Sequence, residues 1–152
     1  MANNYVQTSI EIPAVTPEEI EWFEKFSEDL EDQNLTDDEM DKWMEVRGNP
    51  EVWPDYDYQV EGDTIFITSE ECGNLDNICT VIQEFLAKFR PNDAIGAEWA
   101  FTCSSMRPGE FGGGAAFITA KSIRYVNTSN WLGEERAKWK KRQTKRGKKK
   151  KK

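Results

Sequence analysis

Hydrophobic and polar positions change their period several times along the chain. YVQTSIEIP (Tyr5–Pro13) alternates, with Val6, Thr8, Ile10 and Ile12 on one face, which predicts a half-buried strand closed by proline. Thr16-Pro17-Glu18-Glu19 then sets a helix start, with Thr as N-cap, Pro at the first helical position and Glu at the third. Ile20, Phe23 and Leu30 make its apolar stripe, widened by Trp22 and Phe26, and its outer face is almost wholly acidic. Thr36-Asp37-Asp38-Glu39 repeats the capping signature and opens a short helix with Met40, Trp43 and Met44, stopped near Gly48 and Pro50. Residues 49–55 read as a loop.

YDYQVEGDTIFITSE reads as two short strands around a Gly62-Asp63 turn, or as one strand with a lead-in. The clearest helix spans 75–90, where Leu75, Ile78, Val81, Ile82, Phe85, Leu86 and Phe89 recur at +3 and +4 and Arg90-Pro91 ends the pattern. AIGAEWAFTCS (94–104), FGGGAAFITA (111–120) and SIRYVNT (122–128) predict three antiparallel strands in a meander, with Lys121 in a tight connection. Asn130 is placed to cap a last helix through Trp131, Leu132 and Trp139, which frays into KRQTKRGKKKKKK.

The resulting order, β-α-α-β-β-α-β-β-β-α, predicts an α+β fold: a single domain, mainly antiparallel sheet, with helices packed largely on one face. A doubly wound parallel sheet does not fit, because the last three strands follow one another without crossover helices. The expected organisation is an acidic globular domain over 1–135 and a disordered, basic, low-complexity tail over 136–152, carried by the C-terminal helix.

Composition narrows the chemistry. With 152 residues, a chain of this size buries about 70% of its unfolded surface, and six Trp, eight Phe and four Tyr supply a core. Histidine is absent, which removes Ser-His-Asp and Cys-His catalysis and the commonest metal ligand. No residue pattern calls for a cofactor or a metal. Cys72, Cys79 and Cys103 form no CxxC pair and read as reduced, mostly buried thiols, with a reactive or ligating role as the lesser alternative. No apolar run approaches the ~20 residues of a membrane span, and MANNYVQTS lacks the regions of a signal peptide. The expected location is the cytoplasm, with no membrane partner.

Charge is sharply segregated. All 28 acids lie in 1–135 against eight bases, a balance of −20, whereas 136–152 hold twelve bases and no acid. Thirteen acids and two lysines fall between Pro17 and Glu45. A solvated helix face explains them; the sharper alternative is a surface that mimics nucleic-acid phosphates and occupies a basic cleft on another protein. The tail, with Lys138, Lys140, Lys141, Arg142, Lys145, Arg146 and Lys148, is a candidate polyanion-binding segment that could equally pair with the acidic body.

Gly112, Gly113 and Gly114 lack the lysine and spacing of a P-loop and precede a strand rather than a helix. The favoured reading is a β-bulge, or a strand start crossed closely by another backbone or an aromatic ring; the alternative is a glycine floor under a ligand. Glu98, Trp99, Cys103, Ser104, Ser105, Arg107 and Glu110 crowd the hairpin facing them. Arg107 reads first as an ion pair to Glu98 or Glu110, and otherwise as a bidentate clamp for carboxylate or phosphate. Glu70 and Glu71 precede the 75–90 helix, where they complement its dipole and Asn74 can cap. Glu70 with Glu98 is the alternative acid/base pair.

The run EWAFTCSSMRPGEFGGGAAFIT (98–119), followed by VNTSNWL (126–132), resembles a group of small uncharacterised bacterial and phage-type proteins. Their pattern is a Trp-x-x-Thr-Cys-Ser strand, a Pro-Arg loop, Phe-Gly-Gly-Gly-Ala, a strand and an Asn/Asp-Thr…Trp ending. The likeness takes in the N-terminal strand and the Glu-Glu-x-Gly-Asn run at 70–74, and covers most of 1–133. This chain has Arg107-Pro108 in place of Pro-Arg, and its cationic tail is an addition. The resemblance implies one compact domain and points to Trp99, Thr102, Cys103, Ser104, Arg107, Phe111, Gly112, Gly113, Gly114, Asn127 and Trp131; it implies no activity.

The leading expectation is a non-enzymatic accessory protein, of phage or mobile-element type, that binds another macromolecule, above all a protein. The alternatives are a small-ligand binder or carboxylate-based enzyme with a site between the 99–107 hairpin and Gly112–Gly114, and a non-specific nucleic-acid binder acting through the tail.

Overall fold

The computed structural model describes residues 3–28, 32–48, 54–71 and 73–150. Leu30, Pro50, Cys72 and most of the predicted 49–55 loop lie outside them. The elements follow the predicted order: β1 (Asn4–Ile12), α1 (Pro17–Ser27), α2 (Asp37–Arg47), β2 (Asp57–Glu61), β3 (Thr64–Ser69), α3 (Leu75–Phe89), β4 (Ala94–Cys103), β5 (Gly112–Thr119), β6 (Ile123–Asn127) and α4 (Thr128–Lys150).

Both capping boxes form. Thr16 Oγ1 accepts from the Glu19 N–H at 3.2 Å, and Glu19 Oε1 accepts from the Thr16 N–H at 3.0 Å. Thr36 and Glu39 repeat the exchange at 3.3 and 3.0 Å. At α3, Asn74 Oδ1 accepts from the N–H groups of Asp76 and Asn77 at 3.0 and 3.3 Å. Each side chain satisfies donors that a helix N-terminus leaves without an intrahelical acceptor.

The six strands form one antiparallel sheet in the order β2-β3-β1-β4-β5-β6. The first strand therefore lies inside the sheet, paired with β3 on one side and β4 on the other. β2 and β3 make the hairpin predicted around Gly62, whose φ of 61° suits the turn. Strand alternation sends Ile10, Ile12, Ile65, Ile67, Ala97, Ala116 and Ile118 to one face, where they are buried. There they meet Phe23 and Phe26 of α1 and Ile78, Val81, Ile82, Phe85 and Leu86 of α3. Aromatic rings knit the layers: Phe23 meets Tyr58 of β2 edge-on at 5.3 Å, and Trp22 meets Phe89 of α3 edge-on at 5.8 Å. The opposite face carries Ser9, Glu11, Glu98, Phe117, Arg124 and Val126, all exposed.

α2 is attached more lightly. Trp43 meets Phe26 edge-on at 5.2 Å, and the buried Arg47 donates through Nη2 to the Glu28 carbonyl at 3.0 Å while lying over the Phe26 ring.

The C-terminus corrects the sequence reading at two points. The helix starts at Thr128, and Asn127 Oδ1, not Asn130, accepts a first-turn N–H, that of Asn130, at 2.8 Å. The basic segment is not disordered: α4 runs unbroken to Lys150. Lys, Arg, Gln and Ala are good helix formers and no proline interrupts them. Glu135 pairs with Lys138 at 3.2 Å near the start. Low hydropathy excluded a core there, but it did not exclude a helix.

Candidate functional site

The glycines sit inside β5 rather than in a loop before it. In register, Phe101 faces Gly112, Ala100 faces Gly113 and Trp99 faces Gly114. The Trp99 indole lies across Gly114, where a Cβ would come within 2.7 Å of the ring and 2.6 Å of the Val126 carbonyl oxygen. At Gly113 a Cβ would approach the Trp99 carbonyl oxygen to 2.8 Å, and at Gly112 the Thr128 hydroxyl to 2.9 Å. The glycines therefore admit an aromatic ring, neighbouring backbone and the start of α4. The space a ligand would need above Gly114 is filled by Trp99.

The hairpin loop is built by its own dipeptide. Arg107-Pro108-Gly109-Glu110 is a turn closed by the Glu110 N–H on the Arg107 carbonyl at 3.4 Å, with Gly109 at φ 82°. Proline at the second position and a positive-φ glycine at the third are the requirements of a type II turn. That signal was present in the sequence as Pro-Gly.

The turn holds Arg107 in solvent. The ion pairs found among the described residues are Arg90–Glu19 and Lys138–Glu135. The pairing of Arg107 with Glu98 or Glu110 expected from sequence is thus corrected. Glu98 lies on β4 on the open sheet face, whereas Arg107 stands beyond the strand end at the start of its turn.

The other sequence candidates disperse. Glu98 and Trp99 are successive strand residues and point to opposite faces. Glu98 lines a trough of about 690 Å³ on the open face with Glu11, Phe117, Arg124 and Val126. It also borders a shallow hollow of about 500 Å³ shared with Glu70, so this carboxylate pair does lie along one depression, with Arg107 outside it. Thr102 and Phe111 line a smaller hollow of about 240 Å³ with Glu110, Tyr5 and Phe101. The Thr102 hydroxyl donates to Gln7 Oε1 at 3.5 Å. Ser104 pins the N-terminus, its Oγ accepting from the Asn3 N–H at 2.8 Å. Cys103 is a half-buried free thiol ending β4. Asn127 caps α4, and Trp131 is exposed on it.

Cys79, on α3, is the buried thiol; burial raises its pKa, against a smaller opposing pull from the nearby Tyr125 hydroxyl. Such a thiol packs rather than reacts. Among the described residues no group of three or more carboxylate and thiol side chains is placed to hold a metal ion. No helix among them is long and apolar enough to cross a membrane.

The tail residues behave as a set. Lys138, Lys140, Lys141, Arg142, Lys145, Arg146 and Lys148 all lie exposed on α4, which packs against β5 and β6. α4 carries ten bases against Glu134 and Glu135. At the other end of the charge scale, α1 has four glutamates against one lysine, and α2 five acids against two bases. No protein-family model, curated protein or solved structure matches this chain.

Proposed function

We propose that this protein is a non-enzymatic binding module that engages other macromolecules through two surfaces of opposite charge. α4 is the arm for a polyanion, with a nucleic-acid backbone as its natural ligand. The acidic face of α1 and α2 is offered to a basic protein partner. The observation that carries this reading is the placement of charge. Nine basic side chains, Arg136 to Lys149, are exposed on one helix that contributes nothing to the core cluster. Phosphate neutralisation by such a row releases counterions, gives sequence-independent binding and makes it steeply salt-dependent.

The test compares the full chain with one truncated after Gly133, which keeps every residue of the core cluster. Fluorescence anisotropy with a labelled oligonucleotide is expected to show binding by the full chain that weakens by about three orders of magnitude between ~50 and ~200 mM salt. The truncated chain is expected not to bind. Equal binding by the two chains, or binding by neither, refutes the assignment of α4 as the polyanion arm.

A further inference from the structure

Trp139 is the one aromatic residue within the basic stretch of α4. It is 55% exposed, lies outside the core cluster, and makes no ring or cation–π contact among the described residues. Its setting is cationic. Arg136 and Arg142 stand one turn to either side, at the three-residue spacing that places side chains together, and Lys138 and Lys140 flank it in sequence; all four are exposed. The acid four positions before it, Glu135, is engaged by Lys138 at 3.2 Å. Trp131 is similarly exposed but differently set, because its neighbours at three and four positions are Glu134 and Glu135, which repel phosphate.

We infer that Trp139 is a stacking platform for an unpaired base, so that α4 selects single-stranded nucleic acid over duplex. The inference rests on α4 being the polyanion arm proposed above. Charge alone does not make this selection. A duplex carries phosphates at higher density, and each neutralised contact adds about 0.9 to its salt slope against about 0.7 on a single strand. A row of bare cations therefore favours the duplex, or neither form. In a duplex the base faces are stacked on one another and closed to an indole on the outside of a helix. In a single strand they are open, and every base offers a π-face, so stacking adds affinity without reading sequence. Arg136 and Arg142 are about 9 Å apart along the helix axis, and their long side chains reach the phosphates on either side of the stacked base. Phosphate contacts weaken with salt, whereas the stacking contribution has no charge to screen.

Fluorescence anisotropy with the full chain tests the inference, comparing labelled oligo(dT) of about 16 nucleotides with a duplex of the same length. The single strand is expected to bind at least about fivefold tighter. Trp139→Leu is expected to weaken single-strand binding at least about fivefold and duplex binding less than about twofold, with both salt slopes unchanged. Leucine is the better helix former, so such a loss is not a loss of α4. Trp139→Phe keeps a ring and is expected to stay within about threefold of wild type on the single strand. Single-strand binding is also expected to quench tryptophan emission, by an amount that Trp139→Phe removes. A duplex bound as tightly as the single strand, an equal loss on both in Trp139→Leu, or a phenylalanine variant no better than the leucine one overturns the inference. Binding of neither form removes the polyanion arm and the stacking with it. Salt-dependent binding of both forms that ignores Trp139 leaves the arm standing and removes the stacking alone.

Discussion

The Trp99 indole lies against Gly114, its antiparallel partner in the next strand, and the same glycine is closed from its other neighbour by the Val126 carbonyl. An indole over a glycine covers exposed backbone and anchors the register of β4 against β5. Gly114→Ala inserts a methyl where one opposing group is a ring and the other immovable backbone. The expected cost is about 2–3 kcal/mol, read as a shift of the urea midpoint with unchanged m-value. Gly96→Ala, whose Cβ meets nothing within 4 Å, is the control and is expected to change stability by less than about 1 kcal/mol. Because Val126 remains, trimming Trp99 to Leu in the Gly114→Ala background is expected to restore little.

How far the sequence exposes this architecture depends on the range of the interaction. Thr16-Pro17-Glu18-Glu19 and the +3/+4 stripe from Leu75 to Phe89 act within a few residues, and both become the elements they predict. Alternation from Val6 to Ile12 likewise fixes which face of β1 is buried. Alternation does not say which strand a strand will pair with, so the interior position of β1 was not legible. The Gly114 partner was equally hidden, because Trp99 reaches it only through strand register. Arg107 differs for another reason: a base in so acidic a body suggests an ion pair, but Pro108-Gly109 encode a turn that leaves it in solvent. Asn127 looked like a site residue and is a helix cap.

Arg90 and Glu19, 71 positions apart, join the end of α3 to the start of α1. Arg90 Nε donates to Glu19 Oε2 at 3.0 Å, while Nη1 and Nη2 donate to the Pro13 and Ala14 carbonyls at 3.0 and 2.9 Å. The guanidinium also lies over the Phe85 ring. Arg90→Met strands a buried carboxylate, while the two exposed carbonyls pass to water, and is expected to destabilise by about 3 kcal/mol. Adding Glu19→Gln is expected to recover part of that loss, because the amide removes the uncompensated charge. The double-mutant coupling measured by urea unfolding checks it, and strict additivity would exclude the pair as a unit.

The same carboxylate sets an acid limb of stability. Burial opposes ionisation of Glu19, but hydrogen bonds from Arg90 and Thr16 outweigh it and hold the pKa below the ordinary 4.5. A group whose pKa is lowered on folding contributes stability that is complete above the unfolded value and is lost as pH falls through the folded one. Wild-type protein is therefore expected to lose stability below about pH 4.5 more steeply than Glu19→Gln. Parallel acid limbs for the two proteins would contradict this.

Tyr56 sets the alkaline counterpart. Its buried hydroxyl sits 2.7 Å from Ser27 Oγ; burial drives its pKa well above the ordinary 10, against a smaller pull from the Ser27 hydrogen bond. The contribution is intact below the unfolded value and lost as pH rises beyond it. Tyr56→Phe is expected to cost about 1–2 kcal/mol at neutral pH, because Ser27 loses a buried partner, and to flatten the decline above about pH 10. Absorbance at 295 nm should show this tyrosine ionising only as the protein unfolds.

The cationic helix yields a prediction that separates charge count from sequence reading. If α4 binds phosphates as a row of point charges, each neutralised contact adds about 0.9 to the slope of log affinity against log salt for duplex DNA. Lys145→Ala and Arg146→Ala lie on exposed turns far from the core, so neither should alter the melting temperature measurably. Each change is expected to lower the salt slope by about one and to weaken binding to oligonucleotides of unrelated sequence by the same factor. Anisotropy titrations at four salt concentrations against two unrelated duplexes measure both quantities. An unchanged slope would take these side chains out of phosphate contact, and a loss confined to one duplex would indicate base readout, which a uniform cationic rod does not provide.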